Sequence, residues 1–310
     1  MQHLKPKMDV TIGRMKLKNP VMTASGTFGY GIEYSDVVDL EKLGAIVVKG
    51  VSLHPWEGNP PPRLVETPSG LINSIGLQNP GVERFIAEYL PALRKYNTNI
   101  IVNVCGYKID EYAEVAERLD TAKGVSGLEL NVSCPNIHKG GACLGKSPAN
   151  ITRLVKAARK KTKLPLIVKL PPDIFNITKL ARSAEDAGAD ALSLINTLPA
   201  MVIDVEKRMP VLGNVTGGLS GPAIHPVALK LVRDVAQVVH IPIIGMGGIT
   251  NSQDALAFLI AGASAVAAGT ACFINPGVLI EIIQGIERYL IRHKISSVKE
   301  LTGTLRIPEK

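Results

Sequence analysis

One cysteine and two lysines are the residues whose types and positions best suit chemistry. Cys134 stands in the segment Asn-Val-Ser-Cys-Pro-Asn at 131–136, at the end of an apolar run, and Lys49 and Lys169 lie at the ends of two other runs. A thiolate acts as a nucleophile or a base where its surroundings are electropositive. Lysines are rarely buried unless paired, so two at strand ends indicate an anionic ligand, although an isolated lysine usually extends its charge into solvent.

The four cysteines also have a simpler interpretation. A lone cysteine at a strand end is most often a small buried hydrophobic residue, and we predict this structural role for Cys105 and Cys272. For Cys134 that alternative stays open on residue type alone. The cysteines are scattered, with the spacing of neither a disulfide framework nor a metal site, so we predict no bound metal and a reducing, cytoplasmic location.

Amide side chains and glycines occupy comparable positions. Asn103 and Asn131 lie in apolar runs, and Asn196 with Thr197 follows another. Glycine-rich segments at 216–222, 245–249 and 269–270 precede or follow runs and helices. Glycines are most common in tight turns, but after the last two strands of a barrel they let backbone amides approach a phosphate. With the lysines, they indicate a flat phosphorylated cofactor such as FMN.

Short β-branched runs alternate with helical patterns along the whole chain. Because the runs are apolar on both faces, they predict parallel strands buried beneath helices, and eight of them predict a closed (β/α)₈ TIM barrel. An open doubly wound sheet is the alternative, but its G-x-G-x-x-G segment is missing near the first strand. The predicted strands are 20–24, 45–49, 99–104, 127–132, 166–170, 191–195, 241–245 and 265–269. The predicted helices between them include 82–96, 110–119, 147–161, 181–187, 226–239 and 251–260, and the segment that opens at Asn251 supplies the N-cap of the last.

Two connections are too long for plain loops, namely the insertions 51–81 and 198–224 after the second and sixth strands. Such loops usually carry function or extra strands, and both follow strand ends on the face where barrels keep their active sites. Residues 1–19 predict an N-terminal hairpin that closes the opposite end. No internal linker is evident, so we predict a single domain, 1–310.

Composition limits the possible partners. The chain has 310 residues, 46% hydrophobic and 20% charged, with a net charge of +8 and only 4% aromatic residues. Dispersed basic residues and few aromatics argue against a nucleic-acid surface. A signal peptide is not indicated, because no apolar run follows the basic residues of the N-terminus, and a membrane span is not indicated, because no run of 18 apolar residues occurs.

Several motifs, in order over about residues 8–295, resemble the dihydroorotate dehydrogenase family, most closely the catalytic subunits of its class 1B. They are Ala24-Ser-Gly-Thr-Phe-Gly29, Val48-Lys-Gly50, Asn73-Ser-Ile-Gly-Leu-Gln-Asn-Pro-Gly81, Asn131-Val-Ser-Cys-Pro-Asn136, Ile195-Asn-Thr197, Asn214-Val-Thr-Gly-Gly-Leu-Ser-Gly-Pro222 and Gly245-Met-Gly-Gly248.

The resemblance implies two sets of binding residues. FMN would be held by Ser25, Lys49, Gly50, Asn103, Asn131, Lys169, Ile195, Gly221, Gly247, Gly248, Gly269 and Thr270. The pyrimidine would be held by Lys49, Asn73, Ser74, Ile75, Gly76, Leu77, Asn131, Asn196 and Thr197.

The implied reaction is the oxidation of (S)-dihydroorotate to orotate in the synthesis of UMP. Cys134 would remove the C5 proton while the C6 hydride passes to the flavin N5. The class 1B resemblance further implies a homodimer that forms a heterotetramer with a partner subunit, whose FAD and [2Fe-2S] cluster pass electrons to NAD⁺. The membrane-bound class is disfavoured, because it uses serine as its base and carries an N-terminal extension.

Other readings remain open from the sequence. A class 1A enzyme, which reduces fumarate, also uses cysteine. A dihydropyrimidine dehydrogenase-like barrel places its acid in the covering loop, near Cys143, which makes Cys143 the competing candidate for the reactive thiol. The third alternative is a barrel that binds phosphate or nucleic acid and has no enzymatic activity. Leu144 departs from the phenylalanine of many class 1B chains, which affects loop packing and not the chemistry.

Overall fold

The computed structural model describes residues 5–133 and 144–308, and within them sixteen strands can be followed. The strands are β1 (Val10–Ile12), β2 (Met15–Leu17), β3 (Val21–Thr23), β4 (Ala45–Val51), β5 (Leu64–Thr67), β6 (Gly70–Asn73), β7 (Asn99–Val104), β8 (Gly127–Asn131), β9 (Leu166–Lys169), β10 (Ala191–Leu194), β11 (Leu198–Ala200), β12 (Ile203–Asp204), β13 (Met209–Pro210), β14 (Gly217–Ser220), β15 (Ile243–Met246) and β16 (Ala265–Ala268).

Within the same described residues, the helices lie between the strands or, in the case of the last two, follow β16. They are α1 (Val82–Arg84), α2 (Leu90–Leu93), α3 (Ile109–Thr121), α4 (Pro148–Arg159), α5 (Ile177–Asp186), α6 (His225–Ala236), α7 (Ser252–Ala261), α8 (Ala271–Ile274) and α9 (Val278–Arg292). A π-helical segment, Phe85–Tyr89, joins α1 to α2, and short 3₁₀ turns occur at 32–34, 40–42, 144–146, 222–224 and 298–301.

Eight parallel strands close into a barrel in the order β3-β4-β7-β8-β9-β10-β15-β16, with β16 paired back to β3. This confirms the predicted TIM barrel and all eight predicted strands. The strands are buried on both faces because one face fills the barrel and the other lies beneath the helices. The seventh strand begins at Ile243 and not at Ile241, since Pro242 has no N–H to donate to a ladder.

The helices follow the predicted pattern with two local differences. The predicted helix 82–96 is interrupted by the π-helical segment, directly before Pro91, whose ring nitrogen cannot donate to the preceding turn. Helix α5 begins at Ile177, four residues before the prediction, and the Asp173 carboxylate accepts from the Asn176 N–H at its start. The predicted cap of α7 is confirmed, because the Asn251 side chain accepts from Gln253 and Asp254.

The two long insertions form one antiparallel sheet, which we call the cap sheet. Its strand order is β11-β14-β6-β5, so the insertion after β4 pairs with the insertion after β10. Asn73 lies opposite Gly218, and Ile72 lies opposite Leu219. The extra strands confirm the prediction made from loop length, and a short hairpin of β12 and β13 extends the second insertion.

The N-terminal hairpin of β1 and β2 lies at the other end of the barrel, as predicted. A Cβ on Gly127, the first residue of β8, would stand 2.8 Å from Met15 Sδ.

Leu144, where the sequence departs from many class 1B chains, is buried against the hydrophobic core. In the part of the chain that the structure describes, no helix combines the length and apolar character needed to cross a membrane.

Candidate active site

A cavity of about 250 Å³ opens at the carboxyl ends of the barrel strands, beneath the cap sheet. Side chains at the ends of strands on different sides of the barrel reach it, including Lys49 from β4, Asn131 from β8 and Met246 from β15. Each of these strands positions its last residues at the same rim, because all eight run parallel. The cavity therefore stands where barrel enzymes bind their ligands.

Nearly all the sequence-predicted binding residues lie together in this cavity. The twelve residues assigned to FMN all line it, and so do eight of the nine assigned to the pyrimidine. Ser74 is the exception: it is buried beneath the lining, and its hydroxyl accepts a 2.9 Å hydrogen bond from Asn59. These placements bring the residues together, and the role of each, including Ser74, stays a prediction.

Sequence reasoning missed a further set of lining residues. The cap sheet contributes apolar and small side chains, and Phe273 of α8 contributes a half-exposed ring at the rim. Their signal was weak, because neither strand pairing across two insertions nor a single exposed aromatic is visible in local periodicity. The missed residues are Ala24, Gly26, Thr27, Leu64, Leu71, Gly218, Ser220, Ile224, Met246, Ala267 and Phe273.

Lys169 is an almost fully buried cation. Its side chain is 5% exposed, and Nζ donates to Ser25 Oγ across a distance of 2.9 Å. The main-chain oxygen of the same lysine accepts from Ser133 Oγ at 2.8 Å. These bonds hold the ammonium group beside Ser25 at the cavity wall, so the lysine does not extend into solvent as an isolated surface lysine would.

Lys49 is the half-buried cation of the cavity. Burial lowers the pKa of its ammonium group below the ordinary value, the positive charge of Arg63 lowers it further, and the Glu33 carboxylate acts in the opposite direction. Within residues 5–133 and 144–308, neither Lys49 nor Lys169 forms a salt bridge. Two cations without a carboxylate partner leave the cavity electropositive, which favours an anionic ligand.

Asn131 is held by its neighbours in one orientation. The Tyr112 hydroxyl donates to its main-chain oxygen at 2.6 Å, and its Oδ1 accepts from the Ser133 N–H at 3.3 Å. Its side-chain NH₂ group is then the part that can donate to a ligand. The Asn196 side chain is turned similarly, because its Oδ1 accepts from the Thr197 N–H at 2.8 Å.

The glycines at the rim bring main chain to the cavity wall. Gly247 and Gly248 have φ angles of 132° and 68°, which disfavour residues with a Cβ. A Cβ on Gly248 would also stand 2.7 Å from His225 Cβ, at the start of α6. On the opposite side, Thr270 Oγ1 donates to Ser220 Oγ at 2.8 Å. Close-packed glycines beside a helix N-terminus suit a phosphate group.

The described cysteines agree with their predicted structural roles. Cys105 and Cys272 are both completely buried, and burial raises the pKa of the Cys272 thiol to about 12. Cys134, the predicted base, and Cys143, its competitor, lie outside the described residues. Ser133 directly precedes Cys134 in the chain. The hydrogen bond from its hydroxyl to the main-chain oxygen of Lys169 holds Ser133 at the carboxyl end of the barrel.

The buried state of Cys272 makes a testable prediction. At pH 8 the thiolate of a group with a pKa near 12 is on the order of one part in ten thousand, so Cys272 stays unmodified by iodoacetamide in the native protein. Mass spectrometry of tryptic peptides measures the modification. The same protein in urea is the control and is alkylated there. Rapid native alkylation of Cys272 would contradict its buried position.

Comparison with known proteins identifies the family to which this chain belongs. The model of a family described as dihydroorotate dehydrogenase matches residues 7–290, a range that contains the barrel, the cap sheet and every cavity-lining residue. The chain belongs to the dihydroorotate dehydrogenase family. This confirms the resemblance carried by the sequence motifs.

Relatives within the dihydroorotate dehydrogenase family match nearly end to end. A protein of Pelobacter propionicus is 56% identical over 97% of this chain and 99% of its own length. A protein of Desulforamulus reducens is 55% identical over 98% of this chain and 100% of its own. One of Thermodesulfovibrio yellowstonii is 56% identical over 97% and 99%. All three are named dihydroorotate dehydrogenase B (NAD(+)), catalytic subunit.

Proposed function

We propose that the protein oxidises (S)-dihydroorotate to orotate in pyrimidine synthesis, with FMN as its bound cofactor and NAD⁺ as the final acceptor. The observation that carries the proposal is the electropositive cavity at the barrel mouth, in which nearly all the residues assigned to FMN and to the pyrimidine meet. The names of the full-length relatives support both the substrate and NAD⁺.

The residues of the cavity fit FMN. Gly247, Gly248 and Gly221 all have positive φ angles, and backbone bent in this way is suited to a phosphate close to the start of α6. Lys169, buried beside Ser25, supplies positive charge to the ring system, and Asn103 supplies an amide. When bound, FMN supplies the two-electron acceptor for the C6 hydride, which amino-acid side chains cannot supply.

The pyrimidine is a flat anion, and the residues on the cap-sheet side of the cavity match it. Lys49 neutralises its carboxylate, and this contact also offsets the cost of holding a half-buried ammonium group. The oriented NH₂ groups of Asn131 and Asn196 donate to its oxygens, and Asn73 adds a third amide from β6. Fixing the ring in this way positions C5 and C6 for reaction.

Cys134 removes the proton at C5 in this proposal. Proton loss from C5 and hydride loss from C6 together convert the C5–C6 single bond into the double bond of orotate. Support for the cysteine comes from the Asn-Val-Ser-Cys-Pro-Asn motif, whose first residue, Asn131, ends β8 and lines the cavity. The positive charges of Lys49 and Lys169 favour a thiolate in this region.

We further propose that electrons leave through a partner subunit that carries FAD and a [2Fe-2S] cluster. The relatives are named as catalytic subunits, which implies a second kind of subunit. The assembly proposed is a homodimer of this chain with two partner subunits, located in the cytoplasm. A class 1A homodimer that reduces fumarate is the alternative, and NAD⁺ reduction by the purified complex separates the two.

Anaerobic reduction of the bound flavin tests the proposed function. The purified protein is expected to be yellow and to lose its visible flavin absorbance when dihydroorotate is added without oxygen. Dihydrouracil, which lacks the carboxylate that Lys49 would bind, serves as the control substrate. Bleaching by dihydrouracil alone would favour a dihydropyrimidine dehydrogenase-like enzyme, and a colourless protein after FMN reconstitution would favour a binding protein without this activity.

A further inference from the structure

Glu129 is a carboxylate inside the barrel that the proposed reaction does not use. It lies in β8, two residues before Asn131 on the same face of the strand, and it is 1% exposed. It does not line the cavity but lies behind it. Buried carboxylates are rare unless they are paired or hydrogen-bonded, so its partners are informative.

Two neutral side chains contact the carboxylate. Asn103 Nδ2 donates to Oε1 at 2.6 Å, and Ser193 Oγ donates to Oε2 at 2.7 Å. In the ranges 5–133 and 144–308, no lysine, arginine or histidine forms a salt bridge with Glu129. Burying a carboxyl group without a cationic partner costs stability, which points to a purpose other than stability.

The contact with Asn103 fixes the direction of its amide group. An amide has donors on one side and an acceptor on the other, and Oε1 of Glu129 accepts from the NH₂ side. Oδ1 of Asn103 is therefore turned away from Glu129. A Cβ on Gly50, which lines the cavity, would stand 3.3 Å from this oxygen, so Oδ1 is on the cavity side.

We propose that Glu129 is a positioning residue that makes the Asn103 side of the cavity a hydrogen-bond acceptor for a cofactor N–H. The inference rests on the proposed function, in which Asn103 contacts FMN. The oxidised isoalloxazine ring carries a single N–H group, flanked by carbonyls, and an acceptor recognises it. With the amide reversed, an NH₂ group would face that N–H, and a donor facing a donor is repulsive.

A glutamine at position 129 would remove this control while keeping the shape. Its oxygen could accept from Asn103 while its NH₂ group faces Ser193, or its NH₂ group could donate to Asn103 Oδ1 while its oxygen accepts from Ser193. The two arrangements satisfy equal numbers of hydrogen bonds, so the Asn103 amide would occupy both directions. Only a group with two acceptor oxygens favours one direction.

A double-mutant cycle tests this inference, and the quantity measured is the affinity of each apoprotein for FMN. We expect Glu129→Gln to raise the Kd for FMN about threefold to tenfold, the value of one misdirected hydrogen bond. In an Asn103→Ala background the same change is expected to have no effect, because the amide through which it acts is gone. The visible spectrum of bound FMN, which responds to hydrogen bonding at the ring, is expected to shift in Glu129→Gln.

Ser193→Ala is the matched control. It removes the other hydrogen bond of the same carboxylate and does not touch the cavity, so the Kd for FMN is expected to stay within about twofold of wild type. Thermal unfolding of each apoprotein shows which variants fold. Should Glu129→Gln fail to fold, Glu129→Asp, which is too short to reach Asn103, is expected to show the same loss of affinity.

Two results would contradict the inference about Glu129 and leave the proposed function standing. One is a Glu129→Gln protein with wild-type FMN affinity and spectrum, and the other is an equal loss of affinity in the Asn103→Ala background, which would show a general structural effect. Wild-type protein that binds no FMN would instead overturn the proposed function and the inference with it, so the two failures are distinguishable.

Discussion

Replacing Cys134 with serine is expected to lower kcat at neutral pH by about a hundredfold to ten-thousandfold, the usual contribution of a general base. A cysteine thiol ionises near pH 8.5 and lower beside cations, whereas a serine hydroxyl stays protonated across the accessible pH range. The loss is expected to shrink as the pH rises, because hydroxide then competes as the base. FMN content should be unchanged, since the residues proposed to hold FMN are untouched.

The rate of anaerobic flavin bleaching by dihydroorotate measures this effect directly, because it reports proton and hydride removal without the later electron transfer. Cys143→Ser is the matched control, and it is expected to bleach at close to the wild-type rate. Equal rates for Cys134→Ser and wild type would remove Cys134 from the mechanism. A large loss in Cys143→Ser alone would transfer the role to the competing thiol.

Replacing Lys49 with methionine is expected to change affinity and stability in opposite directions. Removal of a charged hydrogen-bond partner should weaken orotate binding about tenfold to 150-fold. The apoprotein should gain stability, and its Tm should rise, because the folded protein no longer desolvates an ammonium group. Titration with orotate and thermal unfolding of the apoprotein measure the two effects.

The pH dependence of that gain has a definite sign. Because the folded-state pKa of Lys49 is lowered, the unfolded chain binds more protons at any pH between that value and about 10.4. The free energy of unfolding therefore rises with pH through this window in wild type, and the advantage of Lys49→Met shrinks accordingly. Below the lowered pKa the lysine is protonated in both states and the advantage is complete.

Lys160→Met is the control for charge alone, since Lys160 is exposed on the outside of the barrel. It is expected to leave orotate affinity and the pH dependence unchanged. A Lys49→Met apoprotein less stable than wild type at neutral pH would contradict the cost assigned to the half-buried ammonium group. Unchanged orotate affinity would place the carboxylate of the ligand elsewhere.

Local sequence patterns were sufficient to predict the barrel. Each strand is a short apolar run, and the residues at its carboxyl end share one rim, so Lys49, Asn103 and Lys169 could be placed in one cavity without coordinates. The errors are local: Pro242 delays a strand, and Pro91 follows a change in helix type. Both differences follow from proline, which has no N–H to donate, so both are predictable from the sequence.

Local sequence patterns could not predict the pairing of the two insertions or the role of Glu129. Asn73 and Gly218 are 145 residues apart, and no periodicity relates them. Glu129 does have a signal in the sequence, because its carboxylate stands between two leucines in a strand predicted to be buried on both faces. The motif resemblance identified most of the lining residues but not the side chain of Glu129 behind them.

The cap sheet also limits how this enzyme can be recombined with its relatives. Since β6 from one insertion pairs with β14 from the other, the roof of the cavity is specified by two distant stretches of the gene acting together. A chimera that receives only 51–81 from a relative would meet a foreign edge at Gly218. Transplanting both insertions as one unit preserves the register, so we expect substrate preference to be exchangeable only as that pair.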